Sequence, residues 1–190
     1  MCNLTTRFLS VIDAATNSLL STIPLGGYPW RVICDSVDNK VFVSVQSGHG
    51  SDTGVVVIDC RADTIEAVVP AWDDACLLCY YPERAKVYCT QDHGVAVIDA
   101  AADSVLTTIP FTWARPSWMA LNRGYDKVYV AGKPNLLTVI SGTTDSVRTL
   151  VPVYAEAGFN VHYNPKAEKL YTMAPGLYAY VTILSGRSDS

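Results

Sequence analysis

The sequence has few charged residues, no basic cluster and no long apolar run, and each absence excludes a class of protein. Charged residues make up 17% of the 190 residues, and the formal net charge is -4. Because nucleic-acid binding needs a basic surface, we expect no nucleic-acid partner. No apolar run approaches the roughly 20 residues that span a bilayer, so we expect no membrane insertion. The opening MCNLTTRFLS lacks a basic region followed by an apolar stretch, so no secretory signal is visible.

Cysteine and histidine spacings do not match those of a metal or haem site. The chain has six cysteines and three histidines. Cys76 and Cys79 form a Cys-x-x-Cys pair, but zinc needs a second pair of ligands, and none is present. The Cys-x-x-Cys-His motif of covalent haem attachment is also missing. We therefore predict no metal and no cofactor.

What the sequence does contain is a repeat of 40 to 46 residues. One recurring segment reads LSVIDAATNS at 9–18, VVVIDCRADT at 55–64, VAVIDAAADS at 95–104, LTVISGTTDS at 137–146 and VTILSGRSDS at 181–190. Two further markers keep the same period: a lysine before an apolar residue and an aromatic one, at Lys40, Lys86, Lys127 and Lys169, and a proline after an apolar residue, at Pro24, Pro70, Pro110 and Pro152. Such self-similarity indicates a repeat architecture.

Each period predicts four short β-strands. In the second period they cover roughly 75–81, 86–90, 94–100 and 104–110, since apolar residues alternate there and turn residues separate the runs. The proline that ends the fourth strand places that strand at the outer edge of its sheet. We predict an all-β fold, a β-propeller of four-stranded antiparallel blades. The chain is predicted as one domain, 1–190, with repeat units 9–54, 55–94, 95–136 and 137–180 and the start of a fifth at 181–190.

The number of blades leaves two interpretations open. The chain begins in the third strand of a blade and ends in the third strand of another, with three whole blades between them. It is then either a partial propeller of about four blades, the favoured interpretation, or a closed four-bladed ring in which the C-terminal first and second strands join the N-terminal third and fourth. A partial propeller exposes apolar blade faces, which further blades or another chain would cover.

These repeats resemble the YVTN-type β-propeller repeats. The Lys-Val-Tyr strand, the Val-Ile-Asp strand with its Thr-Asn or Ala-Asp turn, and the Ile-Pro exit carry the resemblance, although Ser141 and Ser185 replace the aspartate in the last two repeats. The resemblance implies a bacterial or archaeal surface or secreted protein and an extracellular, cell-surface or periplasmic location. Related propellers include lactonases and quinoprotein or cytochrome-type enzymes, whose catalytic and haem-binding residues are not reproduced here.

The loops that vary between repeats predict a binding rim. They are the blade-to-blade connections and the connections between the second and third strands, and variable loops are where repeat proteins usually bind. We expect a non-enzymatic scaffold that binds a protein or a glycan there. The predicted ligand-binding residues are Tyr28, Trp30, Trp72, Asp73, Asp74, Trp113, Arg115 and Tyr154. Alternatively, Trp30 and Trp113 only fill gaps between blades.

A hydrolase is the alternative function. A lactonase-like or metal-assisted enzyme would act at the channel mouth through His93, His162 and Asp92.

Two structural predictions accompany these functions. Asp13, Asp59 and Asp99 recur at the end of the third strand, where an aspartate bonds the N–H groups of the following turn. If the hairpin turns through Pro82 to Ala85, Cys79 and Cys89 lie opposite each other, and either a cross-strand disulfide or two packed thiols would result.

Overall fold

The computed structural model of the chain describes residues 2–3, 6–46, 54–71, 77–112, 116–132, 135–153, 160–174 and 180–189. These residues form β-strands and two single-turn 3-10 helices, Pro82–Arg84 and Arg123–Tyr125. The strands are β1 (Cys2–Asn3), β2 (Phe8–Ile12), β3 (Leu19–Pro24), β4 (Tyr28–Asp35), β5 (Lys40–Gln46), β6 (Gly54–Asp59), β7 (Thr64–Pro70), β8 (Leu78–Tyr81), β9 (Lys86–Gln91), β10 (Gly94–Asp99), β11 (Ser104–Pro110), β12 (Pro116–Asn122), β13 (Lys127–Gly132), β14 (Leu136–Ser141), β15 (Ser146–Pro152), β16 (Asn160–Asn164), β17 (Lys169–Ala174) and β18 (Tyr180–Ser185).

The strands hydrogen-bond into five sheets that follow chain order. The first sheet is β1-β2-β3, the second β4-β5-β6-β7, the third β8-β9-β10-β11, the fourth β12-β13-β14-β15 and the fifth β16-β17-β18. Within each sheet, every strand therefore pairs with the next one along the chain, as hairpin connections require. The predicted all-β architecture of four-stranded antiparallel units is confirmed.

The strand that ends on the repeated proline is the outer edge of its sheet, as predicted. Strands β3, β7, β11 and β15 all end on their prolines, where a missing N–H costs no ladder hydrogen bond. On these strands, Leu20, Glu66, Leu106 and Arg148 are exposed, as expected of an outer edge. By contrast, β13 is buried along its whole length.

The described strands do not support the closed four-bladed ring. That alternative joins the C-terminal first and second strands to the N-terminal third and fourth. Instead, β16 and β17 form a sheet with β18, and the short β1 occupies the place beside β2. The fifth sheet keeps its own third strand, so β2 and β3 are not needed to complete it.

Packing divides the chain into two compact units, which are described separately. One unit is Met1–Gln91 with Ala96–Leu106, and the other is Asp92–Val95 with Thr107–Ser190. In the first unit, alternate residues of the first and second sheets form one core, and those of the second and third sheets form another around Phe42, Val57, Val87 and Ile98. In the second unit, the fourth and fifth sheets pack through Tyr129, Leu137, Val139, Val161 and Leu170. Within each unit, the sheets are thus buried on the faces that pack together.

The disulfide hypothesis for Cys79 and Cys89 is wrong. The 3-10 turn and the left-handed Ala85 (φ 48°) set a register in which Cys79 pairs with Tyr88 and Cys89 with Leu78. A shift of one residue turns a side chain to the opposite face of the sheet. Both cysteines are therefore thiols.

Among the described residues there is no helix with the length and apolar character needed to cross a lipid bilayer.

Candidate functional site

Two of the predicted ligand-binding residues, Tyr28 and Trp30, lie at the start of strand β4. The guanidinium of Arg7 lies 4.6 Å from the centroid of the Tyr28 ring and donates a hydrogen bond of 3.2 Å to its hydroxyl. The pairing register shifts between Pro29 and Arg31, so Trp30 occupies a bulge. A bulge re-aims the side chain it carries, and the Trp30 residue is 46% exposed. Whether Trp30 binds a ligand or fills a gap between blades stays a prediction.

The other six predicted ligand-binding residues lie outside the described residues. They are Trp72, Asp73, Asp74, Trp113, Arg115 and Tyr154. Their participation in a binding rim stays a prediction.

The residues of the hydrolase alternative lie in an exposed turn and on an exposed part of a strand. Asp92 and His93 form the turn between β9 and β10, where the His93 carbonyl accepts a hydrogen bond of 2.9 Å from the N–H of Phe111. His162 lies on β16, and its ring centroid is 5.7 Å from that of Trp118. Within the described part of the chain, no group of three or more His, Cys, Asp or Glu is arranged to hold a metal ion.

The aspartates that end the third strands bond their turns as predicted. Asp13 Oδ1 accepts from the N–H groups of Ala15 and Thr16 at 2.7 and 2.9 Å. Asp99 Oδ1 accepts in the same way from the N–H groups of Ala101 and Ala102. Where serine replaces aspartate, Ser141 Oγ accepts from the N–H of Thr144 at 3.3 Å. These side chains thus have the structural role that was predicted for them.

A polar contact between neighbouring sheets was missed by the sequence analysis. The repeated lysine at the start of the second strand reaches the left-handed aspartate in the third-to-fourth-strand turn of the following sheet. Lys40 Nζ donates to Asp103 Oδ2 at 2.6 Å, and Lys127 Nζ donates to Asp189 Oδ2 at 2.7 Å. The signal was present in the sequence, because the lysine and the aspartate recur with one period, but nothing linked the two markers.

The structure also forms a cleft on the rim that carries the short turns. It has a volume of about 550 Å³ and lies between the turns that follow β12 and β16. Its lining residues are Leu121, Arg123, Gly124, Tyr125, Tyr163, Pro165 and Glu168. The turns that line this cleft are short and similar between repeats, so the sequence predicts binding on the other rim.

The charged residue Glu168 of this cleft accepts hydrogen bonds from Arg187 and Tyr125. Arg187 Nε donates to Glu168 Oε2 at 2.7 Å, and the Tyr125 hydroxyl donates to Glu168 Oε1 at 3.1 Å. The hydrogen bond from Arg187, followed by that from Tyr125, lowers the pKa of the Glu168 carboxyl below its ordinary value of 4.5. The carboxylate is therefore ionised near neutral pH, and it can accept a hydrogen bond but cannot act as a general acid there.

Solved structures similar to this chain share its fold. Hydrazine synthase of Kuenenia stuttgartiensis matches with a TM-score of 0.83 and 13% identity, over 98% of this chain and 59% of that chain. A chain of the mitotic checkpoint complex matches with a TM-score of 0.80 and 12% identity, over 97% and 56%. The dihydro-heme d1 dehydrogenase NirN in complex with DHE matches with a TM-score of 0.79 and 12% identity, over 98% and 42%.

The neighbours are β-propeller proteins, and the fold of this chain is that of a partial β-propeller. At 12 to 13% identity, the likeness shows the fold alone. This chain spans between 42% and 59% of the length of the three chains. No protein-family model matches the chain, and no curated protein matches it.

Proposed function

We propose that this chain is a non-enzymatic propeller scaffold that binds a protein partner through the rim carrying Tyr28 and Trp30. The exposed indole of Trp30 carries this proposal, since the bulge in β4 holds it out of the sheet. Tryptophan, tyrosine and arginine dominate the energetic centres of protein interfaces. The Arg7–Tyr28 pair lies at the start of the same strand, which supports a patch of that composition there.

Two further considerations support a partner and a setting. One structural neighbour belongs to a protein assembly, the mitotic checkpoint complex. Propellers of unrelated function share this fold, so that likeness supports protein binding only as a class. The resemblance to YVTN-type repeats supports a surface, secreted or periplasmic setting and a longer protein in which further blades complete the ring.

The test compares Trp30→Ala with Val37→Ala, an exposed apolar residue (71%) in the turn after β4. We expect a partner captured by cross-linking and identified by mass spectrometry to be lost with Trp30→Ala and retained with Val37→Ala. Retention of every captured protein by Trp30→Ala would overturn the proposal.

Two parallel assays separate the alternative functions. Binding on a glycan array that Trp30→Ala abolishes would assign the same rim to a glycan. Stoichiometric divalent metal and lactone hydrolysis, both lost with His162→Ala, would establish the hydrolase and overturn the scaffold.

A further inference from the structure

The second unit contains a complete example of how one sheet holds the next. Lys127 Nζ donates to the carbonyl oxygens of Gly186 and Arg187 at 3.1 and 2.9 Å and to Asp189 Oδ2 at 2.7 Å. The Tyr129 hydroxyl lies 3.0 Å from Asp189 Oδ1, and Asn122 Nδ2 donates to the Gly186 carbonyl at 3.1 Å. An asparagine, a lysine and a tyrosine of the fourth sheet thus clamp one turn of the fifth sheet.

The fifth sheet carries the same three residue types at the same positions. Asn164, Lys169 and Tyr171 each follow their counterparts by 42 residues. The strand register also repeats, since Tyr129 pairs with Val139 and Tyr171 with Ile183. The Asn164 Oδ1 atom accepts hydrogen bonds from the N–H groups of its own turn at 3.0 and 3.2 Å, which leaves the Nδ2 group to donate elsewhere.

This second clamp lies on an exposed face. In the fourth sheet, Ala131, Leu137 and Val139 are completely buried. Their counterparts in the fifth sheet, Met173, Val181 and Ile183, are 48%, 62% and 54% exposed, and Lys169 is exposed beside them. The fifth sheet thus exposes an apolar strip with a lysine at its end. The face of the fourth sheet that packs against the fifth sheet has the same composition.

The first sheet carries a turn like the one that the fourth sheet clamps. Its turn from Asp13 has the backbone of the clamped turn: the Asn17 N–H donates to the Asp13 carbonyl at 2.8 Å, as Asp189 does to Ser185 at 3.0 Å. Asn17 and Asp189 are both left-handed, with φ of 56° and 61°. Ile12, at the repeat position of Leu184, is 46% exposed.

We propose that the fifth sheet of one copy binds the first sheet of a second copy. Asn164, Lys169 and Tyr171 would hold the turn from Asp13 to Asn17, and the exposed apolar strip would cover Ile12. Because two different surfaces meet, the association is head-to-tail and not two-fold symmetric. This inference goes beyond the proposed function and does not use Trp30.

Position 17 sets the strength of this contact. The four later repeats have aspartate there, Asp63, Asp103, Asp145 and Asp189, whereas the first has Asn17. A neutral amide oxygen accepts a weaker hydrogen bond from an ammonium than a carboxylate does. The association is therefore reversible, and Asn17→Asp strengthens it.

Sedimentation equilibrium over a wide concentration range tests the proposal. We expect reversible association of the wild type, about tenfold weakening by Lys169→Met and about tenfold strengthening by Asn17→Asp. Strengthening by Asn17→Asp should vanish in the Lys169→Met background, because the two residues would be direct partners. Lys166→Met, an equal charge change in the exposed turn that precedes Lys169, is the control and should leave the association constant unchanged.

Several outcomes would overturn the proposal. One is a wild type and an Asn17→Asp variant that remain monomeric at all concentrations. Another is equal weakening by Lys166→Met and Lys169→Met, which would indicate a general charge effect.

Tyr171→Phe, which removes one hydroxyl and no charge, should weaken association several-fold. Circular dichroism checks that each variant is folded, and unchanged association of Trp30→Ala separates this contact from the proposed partner rim.

Discussion

The ammonium of Lys40 lies 2.6 Å from a carboxylate oxygen of Asp103, 63 residues further along the chain. Lys40 begins the second strand of the second sheet, and Asp103 precedes the outer strand of the third sheet. The two side chains are only 11% and 10% exposed, and Glu66 approaches the same ammonium at 3.4 Å. Burial alone would lower the pKa of Lys40, but the hydrogen bond and charge of Asp103, with Glu66, raise it overall. The pair thus adds a directional contact between the second and third sheets, whose shared core consists of apolar side chains.

Lys40→Met should destabilise the first unit. The variant removes the donor to Asp103 Oδ2, while Asp103 Oδ1 already has no hydrogen-bond partner among the described residues. Leaving a nearly buried carboxylate unpaired costs about 2 kcal/mol. Urea denaturation followed by circular dichroism measures the free energy of unfolding.

The exposed Arg61→Met makes the same charge change and should cost at most about 0.5 kcal/mol. Asp103→Asn combined with Lys40→Met should be less destabilising than the sum of the two single changes. Equal stability of Lys40→Met and Arg61→Met would contradict the role of this pair.

Tyr129→Phe should lower the stability of the second unit and change its alkaline behaviour. The hydroxyl lies near both Gly186 O (3.3 Å) and Asp189 Oδ1 (3.0 Å), and its single proton serves one of them at a time. We expect a loss of about 1 kcal/mol at neutral pH. Burial, outweighing the hydrogen bond from Asn122, raises the pKa of the Tyr129 phenol above its ordinary value of 10.0. Its contribution is therefore present below pH 10 and is lost as the pH rises above that value.

Denaturation curves at several pH values between neutral and strongly alkaline measure this effect. The alkaline loss of stability should be smaller in Tyr129→Phe than in the wild type. Parallel losses in the two proteins would show that Tyr129 does not contribute to the pH dependence.

The architecture was predictable because the same pattern of strand and turn residues recurs five times along the sequence. The prolines fixed the outer edges, and the alternating apolar residues fixed which strands are central. The contact of Lys40 with Asp103 was not predictable, since it depends on the angle at which two sheets pack. The predicted pairing of Cys79 with Cys89 failed on register, because a turn through Pro82 to Ala85 places Tyr81 opposite Lys86 and therefore Cys79 opposite Tyr88.

The candidate sites were less predictable than the fold. Trp30 was identified as a rim residue from its loop, but its exposure results from a bulge within β4 that no residue pattern signals. The cleft beside Tyr125 was not predicted, since its turns are short and repetitive. It forms where two such turns lie near each other, and the sequence of one turn does not show how far it lies from another.

The Glu168 carboxyl should titrate below the ordinary range because of Arg187. Arg187→Met should raise the pKa of Glu168 towards 4.5, and Tyr125→Phe should raise it by less, since Arg187 is the larger cause. The lowered pKa stabilises the fold above pH 4.5, and this contribution is lost as the pH falls through the folded-state value. Carboxyl chemical shifts followed by NMR across acidic pH measure this pKa.

Lys166→Met provides the control for this titration, because it removes a nearby exposed charge that does not contact Glu168 among the described residues. It should leave the pKa of Glu168 nearly unchanged. Equal shifts in Lys166→Met and Arg187→Met would show that general charge, not the 2.7 Å hydrogen bond, lowers the pKa.

Gly94→Ala should be among the more damaging single substitutions in the second unit. A Cβ atom at Gly94 would overlap the backbone carbonyl oxygen of Ile109, where β10 begins beside the end of β11. Backbone cannot move aside as a flexible side chain can, so we expect a loss of about 2 kcal/mol. Gly124→Ala is the control, because its Cβ would meet nothing closer than 3.8 Å. Urea denaturation of both variants measures the difference, and equal stability would mean that the two strands separate at little cost. Leu136 occupies the matching position in the fourth sheet, so the close approach belongs to particular sheets and not to the repeat itself.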